Sequence, residues 1–348
     1  MNRHSPTIDE ALALIRKTLP IIVFTIPFVV LYVLYPGSYD LMWKGRTFYL
    51  FFLWLVFLET SLNWDRIAES KINRLKTVRT AVFFVALALP ILYVVGANYF
   101  GLNAAIMDLA SSHGVVPDFV QFVPLAVEYL VLTTLFALII SLYYGAPQIT
   151  NFSISMIFLG AIGVIYMIDN LYPWGLFTPF QILVPTTTQL SASILNMMGY
   201  KTSIVFQQTT TQGTLPQLTV QDVYGHVSTH GVAWPCSGIE SLLIFAVTLP
   251  LFFKNSDIPL THKIVYFIFG AVVTFFINAL RIATIFIIDL GGGDWNAFHN
   301  FYGMLYSMSW IMSYPLLIIA SRALWGKLVR RSIDLNLEPP SSISLPPN

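Results

Sequence analysis

The chain is poor in cysteine and in charge. Cys236 is the only cysteine among 348 residues. A lone thiol excludes an intramolecular disulfide and a multi-cysteine metal site. Charged residues make up 10% of the chain, against about 25% in soluble domains. That deficit excludes an ordinary water-exposed domain. A net charge of +1 offers no basic footprint for nucleic acid. No small-residue cleavage site follows the first apolar segment, which therefore reads as an uncleaved helix rather than a signal peptide. No internal repeat is visible, so the pseudo-symmetry common in transporters is missing. Nothing in the pattern calls for a metal or a cofactor.

What the chain does have is apolar length, with 56% hydrophobic residues. Crossing the hydrocarbon core takes about 20 such residues in a helix. Runs at 18–36, 47–64, 78–100, 122–144, 152–171, 237–253, 262–290 and 298–321 qualify. Lipid supplies no hydrogen-bond partners, so each is expected to be helical. The fold class is all-α, a polytopic integral membrane helix bundle of about 8 spans. One transmembrane domain is expected over 1–331, with a Ser- and Pro-rich disordered tail over 332–348.

Lysine and arginine in the loops set orientation. Arg16 and Lys17 precede the first span, and Arg66, Lys71, Arg74, Lys76 and Arg79 follow the second. Lys254 and Lys263 flank the loop before span seven, and Arg322, Lys327, Arg330 and Arg331 follow the last. Residues 101–121 and 291–297 carry neither type, whereas Lys44 and Arg46 are a minor counter-signal. The consistent solution is a multi-pass cell-membrane protein with both termini cytoplasmic. Residues 172–198 are broken by Pro173, Pro179 and Pro185. A full span there would spoil the parity, so a re-entrant or interfacial element is expected on the outer face. Residues 199–235 then form an extracytoplasmic loop, with a small β-hairpin expected from 201–207 and 218–223.

Three chemistry-bearing residues arrive on successive spans. Cys236 stands at the start of span six, Arg281 lies within span seven, and His299 opens span eight. With this topology Cys236 and His299 both lie at the outer face. Arg281 is roughly 13 Å before the outer end of its span, at 1.5 Å per residue. A thiolate is a nucleophile, and a helix N-terminus favours it. Ser237 and Gly238 would offer first-turn N–H groups to an oxyanion. An intramembrane arginine needs a partner, whether the thiolate, a substrate carbonyl or Glu240, one turn below Cys236. His299 can carry a proton near neutrality.

Each residue also has an ordinary reading. A single buried cysteine usually behaves as a small hydrophobe. Arg281 could serve only to pair with Glu240, and His299 could be an interfacial histidine. Glu59, Glu128 and Asp169 could line an ion path, although unmatched depths favour helix–helix pairing. Glu128, Asp169 and Arg281 together define the alternative function, a transporter or channel. A non-catalytic export subunit is a third possibility. His226 and His230 are four apart, but Gly225, Gly231 and Pro235 make helical metal-ligand geometry doubtful, and a solvated loop is expected. His230 is a reserve candidate for the base.

The segments Cys236-Ser237-Gly238-Ile239-Glu240-Ser241, Asn278-Ala279-Leu280-Arg281 and His299-Asn300-Phe301-Tyr302-Gly303 resemble the exosortase/archaeosortase family of membrane transpeptidases. The wording around His299 is similar to that of thaumarchaeal archaeosortases. Several archaeal members carry arginine at the third position, so histidine here leaves two roles open, proton carrier or positive charge. The resemblance implies catalysis within 236–303 by Cys236, Arg281 and His299. Ser237, Gly238, Glu240, Asn278 and Gly303 would support them. It implies as substrates secreted proteins with a C-terminal sorting signal: a short motif, a hydrophobic helix and a basic cluster. A thioester on Cys236 would pass the new C-terminus to an acceptor, often a membrane lipid.

Overall fold

The computed structural model describes residues 8–40, 44–63, 77–209, 213–254 and 256–337. It is mostly helical. Ten helices carry the architecture: α1 (Ile8–Leu34), α2 (Thr47–Leu62), α3 (Thr77–Tyr99), α4 (Leu102–Ser112), α5 (Val123–Tyr143), α6 (Ser153–Leu171), α7 (Val184–Met197), α8 (Ile239–Lys254), α9 (Leu260–Leu290) and α10 (Gly303–Leu337). Every expected span falls on one of them. The stretches Val82–Tyr99, Pro117–Tyr143, Ala146–Leu171 and Leu260–Leu290 are long and apolar enough to cross a membrane, and Thr18–Leu34 and Thr47–Leu62 are shorter apolar helices. Helix α10 runs on to Leu337, into the segment expected as a tail. Residues 338–348 and most of the basic loop, 66–76, lie outside the described residues.

Helices α1, α2, α3, α5 and α6 form one half of the bundle, and α7 to α10 form the other. Helix α8 joins them by packing on α6. Lipid is as apolar as these side chains, so close packing rather than escape from water holds the helices together. Aromatic rings do much of that packing in the first half. Phe28 stacks on Tyr49 with centroids 4.3 Å apart. Phe52 meets Phe136 edge-on at 5.0 Å.

Buried carboxylates tie the helices across the bundle, as expected for Glu59, Glu128 and Asp169. Glu128 accepts two bonds from the Arg46 guanidinium, at 2.8 and 2.9 Å. It takes a third from the Tyr49 hydroxyl at 2.8 Å. Glu59 receives the backbone N–H groups of Ile154 and Ser155, at 3.2 and 3.0 Å, in the first turn of α6. A carboxylate there answers the positive end of the helix dipole, and Lys254 closes the pair from α8 at 3.3 Å. Asp169 binds Lys44 at 2.8 Å. Lys44 and Arg46 are therefore in inter-helix ion pairs, which accounts for their poor fit to the loop-charge pattern.

Two departures, α4 and a third strand, concern the polar stretches. Residues 101–121 contain α4 rather than plain loop. Within 172–198, α7 has 14 residues, roughly 21 Å and too short to span. Thr187, Thr188 and Ser191 on it are fully buried, whereas Thr186 and Ser193 are exposed. The expected hairpin is present as β1 (Lys201–Thr209) and β2 (Gly213–Gln221). A third antiparallel strand, β3 (Val227–Gly231), joins it and pairs Gln217 with Gly231. The sheet packs on α7, and β3 reaches α9.

Candidate active site

Cys236, Glu240, Arg281 and His299 line one cavity of about 290 Å³. Cys236 does not sit in the first turn of a helix. It belongs to a 3-10 turn, Trp234–Ser237, and α8 begins only at Ile239. Gly238 connects the two in the left-handed region at φ 91°, which a residue with a Cβ rarely adopts. Ser237 and Gly238 therefore precede the helix instead of forming its first turn, and Cys236 and Glu240 are not on one continuous helical face. The corner turns the sulfur toward the cavity while α8 departs in another direction.

The cysteine turn is held by its carbonyls. Asn278 Nδ2 donates to Cys236 O at 2.9 Å. Thr187 Oγ1 donates to Ser237 O at 3.2 Å. Ser237 Oγ donates to Trp234 O at 2.7 Å, so its hydroxyl is spent inside the turn. A Cβ built on Gly238 would lie 2.9 Å from Asn278 Cγ. Asn278 can hold the turn only because residue 238 has no side chain.

Arg281 lies three residues beyond Asn278, on the same face of α9. Its Nη2 donates to the His299 carbonyl at 3.0 Å. Among the described residues no ion pair joins Arg281 to Glu240, so that pairing is replaced by the bond to His299. Arg281 Nε and Glu240 Oε1 are buried without a hydrogen-bond partner. Buried polar atoms are ordinarily satisfied, so these two are a spare donor and a spare acceptor on residues that both line the cavity. His299 belongs to a π-helical turn, Phe298–Tyr302, ahead of α10, a distortion frequent at functional sites. Gly303 follows, and a Cβ there would meet Arg281 Nε at 2.6 Å.

The histidines of the outer loop lie elsewhere. His226 Nδ1 pairs with Asp222 at 2.8 Å in a turn. His230, the reserve base, is on β3 and pairs through Nε2 with Asp289 at 2.9 Å. Neither lines the cavity. The opposite wall of the cavity was not anticipated at all. It comprises Lys44, Phe119, Phe122, Asp169 and Trp174. Its one sequence signal was an ionisable residue inside an apolar run, Asp169.

The family model for transmembrane exosortases (Exosortase_EpsH) matches residues 17–314. The chain belongs to the exosortase family. No curated protein and no solved structure matches it. Exosortases are membrane transpeptidases that process C-terminal sorting signals, so this chain is a transpeptidase-type membrane enzyme with sorting-signal proteins as its substrates. The match covers both halves of the bundle, including all three motif segments and the loops that supply the opposite wall.

Proposed function

We propose that this exosortase cuts its substrate through a thioester on Cys236 and passes the new C-terminus to an acceptor, a membrane lipid. The shared cavity of Cys236, Arg281 and His299 carries this reading. His299 takes the thiol proton, and the sulfur attacks the scissile carbonyl. Arg281, which lines the same cavity, holds the oxyanion. Collapse breaks the peptide bond, and the leaving amine takes the proton from His299. A hydroxyl or amine of the acceptor then attacks the thioester by the reverse sequence and releases the thiol.

The cavity faces away from the cytosol in this reading. Lys254 and Lys263 lie at the ends of α8 and α9 remote from the cysteine turn, as basic residues of a cytosolic face would. A substrate helix in the bilayer would present its outer flank at the level of Cys236, and its binding would supply positioning. Cys236→Ala is expected to fold, to bind a tailed surface protein and to leave it uncut. Normal processing by that variant, followed by mass spectrometry of the substrate C-terminus, would remove Cys236 as nucleophile.

A further inference from the structure

The cavity that Cys236 lines has a second wall, assembled from three separate parts of the chain. Lys44 Nζ is 2.8 Å from Asp169 Oδ2 and 2.6 Å from Asn170 Oδ1. The ammonium also lies 4.3 Å from the ring centre of Phe119 and 5.1 Å from that of Phe122. Trp174 meets Phe119 edge-on at 5.2 Å. Among the described residues two non-glycine residues have positive φ, Lys44 at 59° and Trp174 at 58°. Both line this cavity. Such backbone is costly for a residue with a Cβ and persists only where its surroundings impose it. Here they do. The Tyr129 hydroxyl holds Gly45 O at 2.9 Å and Glu128 clamps Arg46. Beyond Trp174, Gly175 bridges Gly213 at the start of β2. A buried ion pair in an apolar bundle is a further cost that packing alone does not require.

From this juxtaposition we infer that the Lys44, Phe119, Phe122, Asp169 and Trp174 wall is the subsite for the substrate's sorting motif. The inference rests on the cysteine chemistry proposed above and extends it to recognition. A motif must be unwound to be cut, which brings unpaired main-chain N–H and C=O groups to a place where lipid offers them no partner and the cavity wall must. A lysine–aspartate pair in the same cavity as the thiol offers hydrogen-bonding charge of both signs to an extended backbone. The Phe119–Trp174 corner takes one motif side chain and sets its size. Lys44 thus binds the substrate and fixes its register against Cys236, whereas Arg281 and His299 serve the reacting bond.

The test uses the full chain in proteoliposomes and a reporter library. Each reporter ends in a randomised short motif, an apolar helix and a basic cluster, and cut products are sequenced. Phe119→Ala and Trp174→Ala are each expected to shift preference at one motif position toward larger side chains by about tenfold in relative kcat/KM. Lys44→Met is expected to lower kcat/KM on the preferred motif by about tenfold or more. Alkylation of Cys236 by a small maleimide should proceed at the parent rate in the same variant. Lys44→Arg should recover part of the loss. An unchanged motif preference in both aromatic variants overturns the subsite, whether or not Lys44→Met folds. A change only in the ratio of hydrolysed to transferred product also overturns it, by placing the acceptor on this wall. So does full parental preference in the exchanged pair Lys44→Asp with Asp169→Lys, which would make the pair purely structural. An inactive Cys236→Ala beside unchanged preferences defeats the subsite alone. Normal cutting by Cys236→Ala defeats the thioester chemistry and leaves the preference test standing.

Discussion

Two missing side chains shape the site as much as those present. Gly303 lets the π-helical turn come down onto Arg281, and a Cβ there would lie 2.6 Å from Nε. Gly303→Ala is expected to keep the fold and to lower kcat by about a hundredfold, because a misplacement of order 1 Å has that effect. A circular dichroism melt beside a processing assay checks both parts. Gly238 has two constraints, a φ of 91° and the Asn278 side chain against it. Gly238→Ala is therefore expected to lower stability by about 1–3 kcal/mol through backbone strain. Asn278→Ala should loosen the same turn without strain, so its thermal midpoint should fall less than that of Gly238→Ala while activity falls in both. Cys236, Arg281 and His299 stood out in the sequence because their chemistry is unusual for apolar runs. Lys44 did not, because a lysine in a loop and a lysine in a cavity are written alike.

Between helices, the ion pairs are the features that a single substitution tests most cleanly. Arg46→Met strands the Glu128 carboxylate where both partners are largely buried. Breaking such a pair costs about 3–5 kcal/mol, whereas replacing both partners by apolar groups is often near neutral. The double variant Arg46→Met with Glu128→Leu is thus expected to regain most of the stability lost by the single one, measured as midpoints in detergent. All eight apolar runs were legible as helices because a hydrocarbon solvent admits only helix for a long apolar run. Helix α4 was hidden by its mixed composition and by the absence of Lys and Arg, which reads equally well as an outer loop. Strand β3 was hidden by its five-residue length, since its pairing to β2 is a tertiary fact. The opposite wall was hidden for the same reason. Its members come from loops and helix ends far apart in the chain, and none forms a motif with its sequence neighbours.

Across the whole molecule, the lone thiol makes orientation directly measurable. A membrane-impermeant maleimide is expected to label Cys236 from outside intact cells. In a Cys236→Ala background, Ser256→Cys beside Lys254 should react only after the membrane is opened. Labelling of both positions from one side would contradict the proposed topology. The two halves of the bundle meet along α6 and α8, and the cavity draws residues from both. Thiol, guanidinium and imidazole belong to the second half, whereas the lysine–aspartate wall belongs to the first.

Helix α9 grips its neighbours by main chain, with Asn278 on the Cys236 carbonyl and Arg281 on the His299 carbonyl. Both hooks leave one face of one rigid rod, a single turn apart. Sulfur and imidazole are therefore yoked, and a slide or roll of the rod carries them together. What such a movement would alter is their distance from Lys44 and Asp169, which hang on the other half of the bundle, and not their distance from each other.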